Sequence, residues 1–233
     1  MALVDKVLQR VGEAFPGRSV FFDPSDVPAD IEVPAAWNGF GLCHSGTPNY
    51  PKAWNQFVDE FPSVVKIHTE CLLGTALLVG EELELLYVFH NASGLYYYLG
   101  GAPVEPSLCE TDHFRNLPEK LQAFYTHLHD GYTFFPARSM GPRKLSDMIY
   151  VSELVDEEDV SFAEHWLTVF SSGGGDFVAL DTKCPKGSEG LVWWHEDPEA
   201  PELEIDVFEV MDAWMAIFLE ETVLRDEALV RLS

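Results

Sequence analysis

Histidines next to carboxylates are the residues of this 233-residue chain best suited to acid–base chemistry. His195 is followed directly by Glu196 and Asp197, and the run Gly173 to Gly175 leads into Asp176. A histidine beside a carboxylate can serve as a general base once a nucleophile reaches it in the fold. The glycine run lacks the Lys-Ser/Thr pair of a phosphate-binding loop, so a nucleotide site is not indicated. A hydrolase is therefore the weaker alternative, and it requires His195 or Asp176 to lie in a cleft with a strongly shifted pKa.

The other histidines and the cysteines lack the spacing of metal ligands. His127 and His129 stand two residues apart and point to different faces of a helix, so with Asp130 they are interpreted as a polar helix end. No C-x-x-C pair occurs, which argues against a zinc site and a disulfide framework and predicts reduced thiols. The four cysteines are Cys43, Cys71, Cys109 and Cys184. We predict no catalytic residues, no metal and no cofactor, and hence a protein that is not an enzyme.

The charge balance is the strongest compositional signal. The chain has 39 Asp and Glu against 14 Lys and Arg, a formal net charge of −25. Such a chain repels nucleic acid and anionic membranes and attracts basic proteins, although an acidic surface also serves solubility alone. Between Gly187 and Leu224 there is no Lys or Arg at all. Within two acidic clusters, the predicted partner-binding residues are Glu153, Asp156, Glu157, Glu158, Asp159, Glu196, Asp197, Glu199 and Glu202.

Composition and hydropathy indicate a globular chain with a real core. Hydrophobic residues make up 47% of it, and the mean hydropathy is −0.02. No run of apolar residues is long enough to span a membrane, and residues 1–15 lack the apolar stretch of a signal peptide. We therefore expect a cytoplasmic protein; its oligomeric state is not indicated.

Hydrophobic periodicity in the first half predicts helices followed by a sheet. Helices are predicted over 2–14 and 52–61, the second ending at Pro62, with a short strand at 20–22 between them. Three apolar segments separated by turn residues predict an antiparallel meander at 75–79, 83–90 and 95–99. The loop 100–113 is the predicted boundary between an N-terminal α+β region, 1–113, and a domain at 114–233, unless the meander belongs to the later sheet.

The second half alternates helical and strand-like signals. A helix capped by Asn116 ends before Gly131. The polar stretch 183–190 is predicted as a hairpin loop. A last helix, 206–224, has apolar residues on two sides and is predicted to pack on both. Strands are predicted at 132–136, 148–151, 166–170, 177–181 and 191–195.

Four of these segments, in this order, resemble the SUKH superfamily over about residues 114–224. They are the Leu-Pro helix ending in His-Asp-Gly (117–131), the Gly-Asp-hydrophobic strand (172–181), Leu-Val-Trp-Trp-His-Glu (191–196) and the acidic, apolar closing helix (206–221). The chain departs from the family pattern in His-Asp-Gly, where Asn-Gly is commoner, and in residues 16–113, for which no resemblance is found. The resemblance implies an α+β fold with a mostly antiparallel sheet flanked by helices.

The resemblance also implies a role in protein binding. Many SUKH domains are immunity proteins that neutralise a bacterial toxin from the same locus, and a minority are intracellular regulators or scaffolds. Together with the acidic charge, this predicts a cytosolic immunity protein that occludes the active site of a basic toxin, for example a nuclease. A regulator of the same superfamily without a toxin partner is the alternative.

Overall fold

The computed structural model describes residues 3–42, 48–155, 161, 163–183 and 189–232. Within them the chain forms two five-stranded antiparallel sheets with helices packed around them. The predicted α+β class with antiparallel sheets is therefore confirmed.

The first sheet is formed mostly by the N-terminal half and has the strand order β1-β2-β3-β4-β5. Its strands are β1 (Ser19–Phe21), β2 (Gly74–Val79), β3 (Leu83–Asn91), β4 (Gly94–Gly101) and β5 (Tyr132–Phe135). The predicted meander is β2 to β4, and a helix, α1 (Leu3–Ala14), precedes β1. Because β5 comes from the later half of the chain and pairs with β4, the sheet crosses residue 114. The division into two domains at that residue stays a prediction.

The second sheet has the order β10-β9-β8-β7-β6, so β10 is an edge strand. Its strands are β6 (Gly141–Pro142), β7 (Trp166–Ser171), β8 (Phe177–Asp181), β9 (Glu189–Trp193) and β10 (Glu202–Asp206). The predicted strands at 166–170, 177–181 and 191–195 correspond to β7, β8 and β9. The predicted hairpin loop before β9 lies largely outside the described residues.

The remaining helices are α2 (Pro62–Cys71), α3 (Asp112–Arg115), α4 (Glu119–His127), α5 (Val207–Leu219) and α6 (Arg225–Leu232). Short 3₁₀ turns occur at Pro24–Asp26, Ala35–Trp37, Lys52–Phe57, Leu108–Glu110, Leu145–Asp147 and Val151–Glu153.

The core fills both faces of the first sheet. Along β3, Leu85, Tyr87 and Phe89 belong to a large cluster that also includes residues of α2, α4, α5 and the second sheet. The alternate residues Leu86 and Val88 pack with α1 and α6 on the opposite face. A strand with both faces buried has a continuous apolar sequence, which is why 83–90 shows no polar alternation.

One predicted element is partly wrong and another is wrong. Of the predicted helix at 52–61, only Lys52–Phe57 is helical, as a 3₁₀ helix. Pro62 does not end it but begins α2, because a proline at the first helical position forfeits no hydrogen bond. Residues 148–151 are not a strand. Tyr150 forms a single bridge with Leu167, and the chain then turns at Val151–Glu153.

Three further details differ from the prediction. Asn116 follows α3 and does not cap α4, whose first turn begins after Pro118. Helix α5, predicted as the last helix over 206–224, ends at Leu219. Only one of its two apolar sides is fully packed, since Ile217 is 63% exposed. Strand β10 and helix α6 lie where the sequence showed only an acidic linker and a chain end. Both are short, so neither has enough periodicity to predict it.

Candidate partner-binding surface

Four of the predicted partner-binding residues lie together on an exposed segment. Glu196, Asp197, Glu199 and Glu202 are exposed and connect β9 to the edge strand β10. The backbone of this connection turns tightly, with hydrogen bonds from Asp197 N to Trp194 O (3.2 Å) and from Ala200 N to Asp197 O (3.1 Å). We call residues 196–202 the acidic edge.

Glu153 is exposed, and it also has a structural contact. Its carboxylate accepts a hydrogen bond from Tyr150 N at 2.9 Å and closes the 3₁₀ turn at Val151–Glu153. Val151 packs in one small apolar cluster with Leu191 and Trp193, immediately before the acidic edge. The turn that holds Glu153 therefore packs against the strand that leads to the acidic edge. Asp156, Glu157, Glu158 and Asp159 lie outside the described residues.

The His195–Asp176 pair has a different geometry from a catalytic triad. His195 Nδ1 lies 2.8 Å from Asp176 Oδ1, and Ser172 Oγ lies 3.5 Å from Asp176 Oδ2. The carboxylate stands between the hydroxyl and the imidazole, whereas a triad has the histidine in the middle. The side chain of His195 is 46% exposed. The pair is well suited to fix the start of β8 against the end of β9, and the geometry does not favour the hydrolase alternative.

A second acidic surface lies where the N-terminal ends of α2, α4 and α5 meet. These ends enclose an open cavity of about 620 Å³ with an apolar part formed by Pro62, Pro118 and Phe208. One lysine, Lys120, also lines it. Its acidic lining residues are Asp59, Glu60, Glu119, Asp206, Glu209 and Asp212.

Helix capping explains why two of these acids lie there. Asp206 Oδ1 accepts hydrogen bonds from Phe208 N (2.9 Å) and Glu209 N (3.3 Å) and caps its own helix, α5. Asp212, from the second turn of α5, accepts hydrogen bonds from Ser63 N (3.1 Å) and Val64 N (3.0 Å) and so caps α2. Free N–H groups at a helix start need acceptors, and here α5 supplies them. These bonds therefore hold the start of α2 against α5.

Glu60 occupies an unusual position in the same cavity. Its Oε1 pairs with Lys120 Nζ at 2.9 Å, and its side chain is only 13% exposed. The other oxygen, Oε2, is buried and has no hydrogen-bond partner among the described residues.

Glu84, in contrast, forms its ion pairs within the chain. It is 1% exposed, and its oxygens lie 2.6 Å from Arg18 Nη1 and 2.8 Å from Arg138 Nη1. Burial acts to raise the pKa of Glu84, but the hydrogen bonds and charges of Arg138 and Arg18 outweigh it and leave that pKa below its usual value. This carboxylate therefore remains charged and joins β3 to the segments before β1 and after β5.

The interpretation of the 127–130 histidines as a polar helix end is wrong for His129. His127 is exposed, but His129 is fully buried, with Nε2 2.7 Å from Tyr87 Oη and Nδ1 3.1 Å from Gly101 O. His68, also buried, lies 2.9 Å from Tyr132 Oη. Burial lowers the pKa of each histidine to about 3. The described part of the chain contains no group of three His, Cys, Asp or Glu arranged to hold a metal ion.

The sequence prediction found the acidic edge but not the cavity. The cavity acids come from three separate segments, 59–60, 119 and 206–212, which only the fold brings together. The one available signal was the stretch from Gly187 to Leu224 without Lys or Arg, since it includes Asp206, Glu209 and Asp212.

The fold and these surfaces define an α+β protein with open acidic surfaces around α5. Residues 108–216 match the model of the SMI1 / KNR4 family (SUKH-1). The predicted SUKH-superfamily resemblance is thereby confirmed, and at the level of the family it supports an immunity or regulatory role. Comparison with curated proteins found no match, and neither did comparison with solved structures. Among the described residues, no helix has the length and apolar character needed to cross a membrane.

Proposed function

We propose that this chain is a cytosolic immunity protein that binds a basic toxin domain and occludes its active site. The SUKH-1 match supports an immunity or regulatory role, and the net charge of −25 favours a basic partner over nucleic acid or an anionic membrane.

The acidic edge is the observation that carries this proposal. Its carboxylates are exposed and stand in a stretch of the chain without any lysine or arginine. Exposed charges of one sign accelerate the encounter with an oppositely charged partner and select against partners of the same sign. A nuclease is a suitable target, because its active site must attract phosphates and an acidic inhibitor offers the same charge.

Co-purification tests the proposal. The tagged full chain is isolated from its native host at low, moderate and high salt, and the proteins that accompany it are identified by mass spectrometry. We expect a stoichiometric partner with a basic domain, lost at high salt, whose toxicity the chain suppresses on co-expression. A clean preparation from cells that express a neighbouring toxin gene contradicts the immunity role and favours the alternative, a regulator of the same superfamily.

A further inference from the structure

Helices α2 and α5 form a groove that continues the acidic cavity at their N-terminal ends. A second open cavity of about 590 Å³ lies farther along the same two helices, and Ser63 and Ala213 line both cavities. The helices run side by side in the same direction, because Ser63 bonds to Asp212 near their starts and Glu70 lies across from Glu220 near their ends. From Glu209 to Glu220 this groove is about 17 Å long, from the rise per residue of a helix.

The second half of the groove is apolar and exposed. Ile67, Ala213, Ala216, Ile217 and Leu224 line it. Ile217 is 63% exposed and Leu224 is 56% exposed, so large apolar side chains face solvent next to each other. Contiguous exposed apolar surface of this kind marks interaction sites more often than isolated exposed residues do.

Charge surrounds this apolar strip. Glu70 and Glu220 flank it against one lysine, Lys66, and the N-terminal cavity adds six acidic residues against Lys120. Glu60, whose Oε1 pairs with Lys120, is one of these six acids. An apolar floor with an acidic rim complements a segment that is apolar on one face and basic on the other.

The shape of the groove selects a helix as its occupant. The backbone groups inside α2 and α5 are bonded within each helix, so an extended segment could not add to them as a strand. Strand addition is also obstructed at the nearby β10 edge, where the pairing with β9 shifts register between Leu203 and Ile205 and Glu204 has a positive φ of 60°. A second copy of this chain would bring a second acidic groove and is disfavoured by like-charge repulsion.

We propose that the α2–α5 groove binds a basic amphipathic helix of the protein partner, with its apolar face on Ile67, Ala213 and Ile217. This inference rests on the proposed function for the identity of the partner. The binding mode, however, can be tested with the full chain and a synthetic probe.

The probe is a leucine–lysine peptide of about 15 residues with leucines spaced to form one helical face. Its control is a peptide of the same composition in which leucine and lysine are not segregated. Binding is measured by calorimetry at moderate salt. The Ala213→Trp variant fills the groove, and Ala29→Trp is the matched control, since both alanines are exposed and both changes leave the charge unaltered.

We expect the segregated peptide to bind about tenfold or more weakly to Ala213→Trp and equally well to Ala29→Trp. Equal binding of the scrambled peptide, or no effect of Ala213→Trp, would overturn the inference. So would sedimentation showing that the wild-type chain dimerises and that Ala213→Trp prevents it. A partner that co-purifies equally well with Ala213→Trp would refute the groove but not the proposed function. Peptide binding in the groove without any co-purifying toxin would refute the proposed function but not the groove.

Discussion

Two fully buried histidines, His68 and His129, predict that this protein loses stability in mild acid. Both His68 and His129 are neutral in the native state, because burial holds their pKa values at about 3. In the unfolded chain a histidine has a pKa of about 6.5. Their contribution is therefore fully present above about pH 6.5 and is lost as the pH falls from there toward about 3, since the unfolded state binds more protons over this range.

The size of the effect follows from this difference in pKa. Between pH 7 and pH 5, an unfolded histidine becomes almost fully protonated while a buried one stays neutral. The free energy of unfolding then falls by about 2 kcal/mol for each such histidine, from the linkage relation. The carboxylates titrate mainly below this window, so the histidines dominate the slope there.

Urea denaturation of the full chain at several pH values between 7 and 5 measures this slope. We expect His68→Gln to reduce the loss of stability over this range by about 2 kcal/mol, whatever its effect on stability at pH 7. His127→Gln is the matched control, because His127 is exposed at the end of α4, and it should leave the slope unchanged. If His68→Gln and His129→Gln both kept the wild-type slope, the assignment of two neutral buried histidines would be refuted. Imidazole proton shifts in NMR spectra should likewise show that His68 and His129 do not titrate between pH 7 and 5.

Three further outcomes are expected. Glu84→Ala leaves Arg18 and Arg138 without their buried partner and should lower the free energy of unfolding by about 3 kcal/mol in urea denaturation. The control Glu82→Ala, at an exposed carboxylate, should change the free energy of unfolding by less than about 1 kcal/mol. Asp212→Ala removes both acceptors that cap α2 and should destabilise the chain by about 1–2 kcal/mol in urea denaturation. Asp212→Asn keeps one of the two accepting oxygens and should recover only part of this loss; no loss in either variant would show that this cap does not stabilise the chain. Replacing the four acids of the acidic edge (Glu196, Asp197, Glu199 and Glu202) with lysine should slow association with a co-purified basic partner and reduce the salt dependence of the association rate in stopped-flow measurements. Unchanged kinetics would show that the acidic edge is not part of the interface.

Local sequence signals were sufficient to predict an element that is long and equally buried along its length. The meander β2 to β4 was predicted because both faces of β3 are buried and turn residues separate the strands. Prediction from the sequence failed where a residue far away in the chain determines the local structure. Pro62 looked like a helix end, yet it begins α2, and the acceptor that caps this helix is Asp212, about 150 residues later in the chain. His129 looked polar and is buried, because Tyr87 and Gly101 from the first sheet supply its hydrogen bonds.

The same contrast between local and distant residues determines how much of the proposed binding surface a sequence can predict. The acidic edge is contiguous in sequence, so a count of charges finds it. The groove requires α2 and α5 to lie side by side, and their alignment depends on a carboxylate of one helix bonding to the first N–H groups of the other. The capping bonds that pack the two helices therefore also bring the acids at their starts into one cavity. If the groove binds a basic helix, Asp212→Ala should weaken that binding through the position of α2. Asp212→Asn removes the charge but keeps one of the two accepting oxygens, so it should weaken binding less than Asp212→Ala if the position of α2 matters, and equally if only the charge matters.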